Sequence, residues 1–296
     1  MLMKKKTPEY AVFILSNRRP DRVYTYDTLR RQGYTGRIFI IVDDEDPTQD
    51  EYKGKYGEEV QVFDKKKAAE YTDTCDNRED RNSVVYARNA CYGIARKLGL
   101  QCFIVLDDDY NSFGYRFDSK LQFVDKCDMQ LLECIFEILI DFYYMTPAKS
   151  LAIAQSGDFI GGSSGSKAQK LTLWRKSMNL FVCDVDREVN FKGRMNDDVN
   201  TYICYGMRGD LFLTVPNVGL HQKETQHNTG GLSEMYIQSG TYVKSFYTVM
   251  VAPSCTRIKK MGAKYKRWHH NIIWNSAVPK ILRERWKKAN DGGKEK

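Results

Sequence analysis

FIVLDDDY, residues 103–110, runs four apolar residues straight into Asp107, Asp108 and Asp109 and then into a tyrosine. A short, unbroken apolar run reads as a strand buried on both faces. Three adjacent carboxylates repel one another, so their place at the end of a buried strand needs a reason. Hard divalent cations such as Mg²⁺ and Mn²⁺ take oxygen ligands and share them with substrate phosphates. A cation bound there removes the repulsion and neutralises a diphosphate as its bond breaks. The alternative is a solvated turn.

Working outward, the same kind of strand recurs. YAVFILS (10–16), RIFIIV (37–42) and VQVF (60–63) are apolar runs of strand length, and QCFIVLDDD (101–109) is the fourth. Helical patterns separate them: 23–33, with Pro20 placed near its start and Gly33 at its stop, and 83–99, stopped by Gly99. Doubly buried strands alternating with helices predict an α/β fold, a Rossmann-type, mostly parallel sheet flanked by helices. Ligands in such sheets bind beyond the carboxyl ends of the strands. The polar loops at 16–22, 43–50 and 107–111 converge on that rim.

The second half is less regular. Strands are predicted at 150–157, in LTLW (171–174), in NLFVCDV (179–185) and at 211–222, and helices at 195–209 and 232–250. LLECIFEILIDFYYM (131–145) carries Glu133, Glu137 and Asp141 on one helical face, so it is an amphipathic helix and no membrane span. We expect one domain over 1–256, in two halves at 10–112 and 113–256, and a basic C-terminal extension over 257–296.

Composition narrows the classes. The chain has 296 residues, with 46 Lys+Arg against 38 Asp+Glu and a net charge of +8. The basic excess from residue 257 onward suits a polyanionic partner or a solubilising tail. KYKRWHHNIIWNSAVPKILRERWKK (264–288) mixes cations with Trp268, Trp274 and Trp286, which suits phosphate contact and base stacking, or a C-terminal helix docked through its tryptophans. The eight cysteines show no C-x-x-C pair, which argues against zinc and disulfides and for a reducing compartment. MLMKKKTPEY lacks a signal-peptide core, so a cytoplasmic protein is expected. No G-x-G-x-x-G follows the first strand and no P-loop is present, so a dinucleotide cofactor is not expected.

Other candidates follow from position. Asp43 or Asp44, after the second strand, suits a nucleotide sugar or base; DDEDPTQD (43–50) lacks the Gly and Glu of a calcium loop. Gly-rich IGGSSGS (160–166) suits close backbone approach to a ligand, or is a plain loop. Asp197 and Asp198 open a predicted helix, where one acid complements the dipole and the other is a candidate general base for an acceptor hydroxyl. His221 ends a strand as a candidate metal ligand, and His227 lies in a polar loop suited to covering a site.

These residues together resemble a family. ARN (87–89), then a strand ending in DDD, then MNDD (195–198) and a later histidine, resemble GT-A glycosyltransferases. Within that group the chain is most similar to the TET-associated glycosyltransferases of phages and some eukaryotes, through AVFILSNRRPDR (11–22), VDDEDP (42–47), YARNACYGIARKLGLQCFIVLDDDYNSF (86–113) and RWHHNIIWNSAVPKIL (267–282). The resemblance implies a GT-A-like fold and a metal-dependent transfer of a sugar, expected to be glucose, from a UDP-sugar to the hydroxymethyl group of 5-hydroxymethylcytosine or 5-hydroxymethyluracil in double-stranded DNA. In a phage-encoded protein this would take place in the host cytoplasm. Asp107, Asp109 and His221 would hold Mn²⁺ or Mg²⁺. Ser16, Arg18, Arg22, Asp43, Asp44, Arg88, Asp107 and Asp108 would bind the donor, and Asp198 with Asp197 would be catalytic. Lys259, Lys260, Lys264, Lys266, Arg267 and His269 would grip DNA. The rival readings are the same chemistry on a protein, lipid or small-molecule acceptor, and a nucleotidyltransferase.

Overall fold

In the computed structural model, which describes residues 8–77, 79–120, 122–155, 171–222, 232–261 and 267–280, the apolar runs lie side by side. The first half is β1 (Tyr10–Leu15), α1 (Tyr24–Arg31), β2 (Arg37–Asp43), α2 (Gln49–Tyr56), β3 (Val60–Phe63), α3 (Lys65–Glu70), α4 (Val85–Lys97) and β4 (Cys102–Asp107). Then come β5 (Tyr110–Phe117), β6 (Phe123–Asp128), α5 (Leu132–Tyr144), β7 (Ala148–Gln155), β8 (Leu180–Asp184), α6 (Asp197–Gly206) and β9 (Leu211–Gln222). The last elements are α7 (Leu232–Val251), β10 (Thr256–Met261), β11 (Arg267–Ile272) and α8 (Trp274–Ala277).

Among the described residues nine strands form one sheet, ordered β3-β2-β1-β4-β8-β7-β9-β5-β6. The block β3-β2-β1-β4 is parallel, with the doubly buried β2, β1 and β4 inside it and β3, half-buried, at the edge of the sheet. Alternate residues face opposite sides of a strand. Val12, Ile14, Ile38, Ile40, Ile104 and Leu106 pack with α5 on one face. Phe13, Ile41, Phe103 and Val105 pack with α4 on the other. Beyond β4 the sheet is mixed. β8 runs antiparallel to β4, β9 runs parallel to β7, and β5 runs antiparallel to β9.

This order places the site. From β1 the chain winds outward through β2 and β3, then returns to β4 on the other side of β1. The reversal opens a crevice at the carboxyl ends of β1 and β4, where α/β sheets bind ligands. Leu15 and Asp107 are in register there. Ser16 and the acidic triplet therefore leave the sheet side by side.

Several expectations need correcting. LTLW (171–174) is a bend and no strand. Both edges of β7 are already taken by β8 and β9, so the sheet offers it no partner there. α1 begins only at Tyr24, after a turn that holds Pro20, and Gly33 (φ +87°) follows its end as expected. The region after residue 256 is no docked helix where it is described. β10 and β11 form an antiparallel hairpin, and α8 is a single turn. Ile272 and Ala277 pack there with Val199, Tyr202 and Ile203 of α6. IGGSSGS (160–166), His227, Lys264, Lys266 and Trp286 lie outside the described residues, and of Arg267 only the strand position is described. No helix among the described residues is long and apolar enough to cross a membrane.

Candidate active site

A cleft of about 350 Å³ opens at the crevice, and residues of the acidic triplet, α4 and the start of α6 line it. That volume lies at the small end of the range for ligand pockets.

The turn after β4 is pinned from below. The Thr25 hydroxyl donates to the Asp107 carbonyl at 2.6 Å, and the Thr25 N–H donates to the Asp108 carbonyl at 3.2 Å. The Tyr110 N–H donates back to the Thr25 hydroxyl at 3.0 Å. With its backbone fixed, the turn sends its three carboxylates to three different fates.

Asp108 is buried. The Ser16 hydroxyl donates to its Oδ2 at 2.6 Å, and Arg19 Nη2 lies 2.9 Å from its Oδ1. Burial pushes its carboxyl up to about 6 against the opposing pull of Arg19 and Ser16. Asp107 is the most open, with 31% of its side chain exposed, and Arg88 Nη2 lies 3.3 Å from it. Asp109 is 7% exposed. Its Oδ1 is buried without a hydrogen-bond partner. Burial, then the charges of Asp107 and Asp108, push its carboxyl up to about 7.

Among the described residues no three His, Cys, Asp or Glu side chains form a ready-made metal cage. The donor set still fits a hard divalent cation that shares its ligands with a substrate. Such ions take one or two carboxylates and complete their shell with phosphate oxygens and water. The buried, unbonded oxygen of Asp109 is the kind of acceptor that a cation would satisfy, and Asp107 stands open beside it.

Arg88, on α4, forms the back wall. Its Nη1 lies 2.6 Å from Asp197 Oδ2, while its Nη2 reaches Asp107. The rings of Phe181 and Phe191 lie 5.3 and 5.7 Å from its guanidinium. The resemblance implied that this arginine binds the donor; here two carboxylates hold its two terminal nitrogens. Burial raises the Asp197 carboxyl, and the Arg88 charge opposes that rise.

Asn196 sets the start of α6 with a left-handed backbone (φ 52°). Its side-chain amide donates to the Lys244 carbonyl at 2.7 Å and to the Thr248 hydroxyl at 2.8 Å, which ties α6 to α7. Asp197 turns inward to Arg88. Asp198 lines the cleft, and its Oδ1 accepts the Val199 N–H at 2.7 Å.

The remaining candidates divide. Asp43 lines the cleft and is buried. The Asn17 amide donates to its Oδ2 at 2.8 Å, and Lys65 Nζ lies 3.3 Å away. Asp44 is exposed, outside the lining, and accepts the Lys65 N–H at 2.9 Å. Arg18 has a left-handed backbone (φ 57°) and an exposed side chain. Arg22 lies near Asp21 and, like Arg18, is not part of the lining. His221 sits on β9 with its Nε2 2.9 Å from Arg116 Nη2, also outside the lining. Lys259 and Lys260 are exposed on β10, and Lys260 Nζ lies 5.3 Å from the ring centre of Trp268. His269 is half-buried on β11.

Sequence reasoning missed Arg19, Asn17 and Lys65. Arg19 is one of three arginines in NRRPDR, and spacing alone does not separate them. Lys65 begins the run KKK (65–67), which reads as a solvated helix face.

A family model described as TET-associated glycosyltransferase matches residues 10–231. No curated protein matches the chain. Solved structures with a related shape include glucosyl-3-phosphoglycerate synthase from Mycobacterium tuberculosis in complex with Mg²⁺ and UDP, at 8% identity and a TM-score of 0.46, covering 90% of this chain and 88% of that one. Residues 1–349 of TarS from S. aureus in complex with UDP give 11% identity and a TM-score of 0.44, covering 72% and 59%. The mannosyltransferase PcManGT from Pyrobaculum calidifontis, in complex with GDP-Man and Mn²⁺, gives 11% and 0.43, covering 84% and 74%.

Proposed function

The chain belongs to the TET-associated glycosyltransferase family, and from that premise we propose that it moves a sugar from a UDP-sugar to the hydroxymethyl group of a hydroxymethylated pyrimidine in double-stranded DNA, with glucose as the first sugar to test. The observation that carries the reading is the division of labour in the acidic triplet. Asp108 is held by Ser16 and Arg19, while Asp109 keeps a buried oxygen without a partner.

In this reading Ser16, Arg19 and Asp108 form the floor of the donor site, and Asp43 with Asn17 borders its nucleoside end. Asp107 and Asp109 hold Mn²⁺ or Mg²⁺, which when bound neutralises the charge that develops on the departing diphosphate. His221 is left out of the metal set because its Nε2 faces a guanidinium nitrogen at 2.9 Å. Asp198 takes the proton from the acceptor hydroxyl as that oxygen forms its bond to the sugar's anomeric carbon. The bond from that carbon to the diphosphate breaks, and UDP carries away the electron pair. Asp197 does not take the proton, because its carboxylate is engaged by Arg88; it positions Asp198. Lys259, Lys260 and His269 of the β10–β11 hairpin face the phosphates of the duplex, with Trp268 available for stacking. The undescribed Lys264, Lys266 and Arg267 side chain join them as sequence-level candidates.

UDP release tests this reading. The full chain is incubated with Mn²⁺, a panel of UDP-sugars and duplexes that carry hydroxymethylcytosine, hydroxymethyluracil or neither. Release stimulated only by a hydroxymethylated duplex supports the proposal. Release that ignores the duplex but responds to a protein, lipid or small-molecule acceptor moves the acceptor elsewhere and overturns it.

A further inference from the structure

The strand order sets a direction along the cleft. Asp43 ends β2, Asn17 lies just beyond β1, and the acidic triplet closes β4. The next strand in the sheet is β8, antiparallel to β4 with Leu106 opposite Leu180. Asp107 and Asn179 are the next residues outward on those two strands. A nucleoside near β2 and a diphosphate on a cation at Asp107 and Asp109 leave the sugar over the entry to β8. Met178 and Asn179 line the cleft there.

Asn179 is 8% exposed, and its amide nitrogen is buried with no hydrogen-bond partner among the described residues. An unpaired buried donor costs stability, so a native protein that keeps one has a reason for it. The backbone adds to that cost. Asn179 is left-handed (φ 69°), and the Leu180 N–H donates to the Met178 carbonyl across it at 2.9 Å. A three-residue turn with a positive φ at its centre is rare and strained. Glycine would relieve both features, since it takes a positive φ freely and has no amide to bury. The turn is also fixed to the metal end of the cleft. The Tyr110 hydroxyl donates to the Asn179 carbonyl and lies 3.3 Å from Asp107 Oδ2. One side chain therefore links Asn179 to a carboxylate assigned to the cation.

We infer that Asn179 is a specificity-determining residue whose amide hydrogen-bonds a hydroxyl of the sugar carried by the donor. This rests on the UDP-sugar donor proposed above and not on the DNA acceptor. A carboxamide offers two N–H donors and a carbonyl acceptor, and it turns readily about its Cβ–Cγ bond. It pairs with one hydroxyl or bridges two neighbouring ones. The amide is neutral, so it reads the hydroxyl pattern of the sugar and adds little to the grip on the diphosphate. A site built to pair with a hydroxyl leaves its own polar group unpaired when an analogue lacks that hydroxyl, and so rejects the analogue.

Calorimetry on the full chain, with Mn²⁺ and no acceptor, tests this. UDP, UDP-glucose, UDP-galactose and the monodeoxy analogues of the tighter-binding sugar nucleotide are titrated into the wild type and into Asn179→Gly. Glycine accepts the left-handed backbone, so the variant removes the amide alone and should melt as the wild type does. The wild type should bind one monodeoxy analogue about tenfold more weakly than its parent, the cost of leaving one buried polar group unpaired. Asn179→Gly should bind that analogue and its parent alike, and should bind UDP as the wild type does. A variant that still discriminates as the wild type does, or a wild type indifferent to every missing hydroxyl, overturns the inference and leaves the donor reading standing. A variant that loses UDP together with the sugar makes the residue structural and also overturns it. A wild type that binds neither UDP nor a UDP-sugar sinks the donor reading, and the inference with it.

Discussion

Arg88 Nη1 stands 2.6 Å from Asp197 Oδ2, and the other arm of the same guanidinium reaches Asp107. One buried cation therefore joins the acidic strand end to the helix that presents Asp198. Removing one partner of a buried pair leaves an uncompensated charge, which costs about 3–5 kcal/mol. Arg88→Met is expected to destabilise the protein by that order in urea unfolding. Adding Asp197→Asn to that variant should recover part of the loss, with a coupling of at least about 1 kcal/mol in the double-mutant cycle. Additive effects would mean that the pair does not act as a unit.

Asp197 and Asp198 are neighbours with different duties. Asp198→Asn is expected to lower kcat by about 10²–10⁴-fold, the usual worth of a positioned base, with the donor KM and the melting temperature unchanged. Asp197→Asn should lower stability as well. If Asp198→Asn transfers sugar at the wild-type rate, Asp198 is not the base.

Asp109 predicts opposite changes in stability and activity. Its folded pKa of about 7 lies above the usual 3.8, so the folded state holds a proton that the unfolded state has already lost. The penalty is absent below about pH 4, grows as the pH rises toward 7 and is complete above it. Asp109→Asn should therefore be more stable than the wild type in metal-free buffer at pH 8, by roughly 1–3 kcal/mol, equal to it near pH 4, and unable to transfer sugar. Added Mn²⁺ should raise the melting temperature of the wild type and leave this variant unmoved. A variant less stable at pH 8 than at pH 4, relative to the wild type, would overturn the assignment.

His270 should give the reverse slope. Its folded pKa of about 2 lies below the usual 6.5, through burial and the nearby Lys176, His269 and Lys244. The unfolded chain then binds the extra proton, and stability drops as the pH falls below about 6.5. Between pH 6.5 and 5 the loss reaches up to about 2 kcal/mol, and His270→Asn should remove that part. Parallel stability curves for the two proteins across this range would exclude a neutral buried imidazole.

The inner part of the parallel half was legible because its strands are apolar on both faces, and YAVFILS, RIFIIV and FIVLD carry that mark without help from the rest of the chain, whereas VQVF became the edge strand with Val62 exposed. β5 was not legible. YNSFGYRF holds polar residues and a glycine, and its pairing with β9 joins positions about a hundred residues apart. TRIKKM reads as part of a charged tail, and only its pairing with β11 and the packing of Ile272 on α6 make it a strand. At the site, the acidic triplet and the NDD motif were visible as motifs. The partner of Arg88 was not, because Asp197 lies 109 residues away. The choice among Arg18, Arg19 and Arg22 depends on the left-handed backbone at Arg18, which turns that side chain outward and leaves Arg19 facing Asp108.

Nucleoside mass spectrometry tests the central claim most directly. Duplexes containing cytosine, hydroxymethylcytosine or hydroxymethyluracil are treated with the full chain, Mn²⁺ and a panel of UDP-sugars, then digested to nucleosides. The account predicts the mass gain of one hexose on a hydroxymethylated base alone, abolished by Asp109→Asn and by a chelator. Hydroxymethylated bases left unchanged by every donor, while UDP is released to another acceptor, would contradict it.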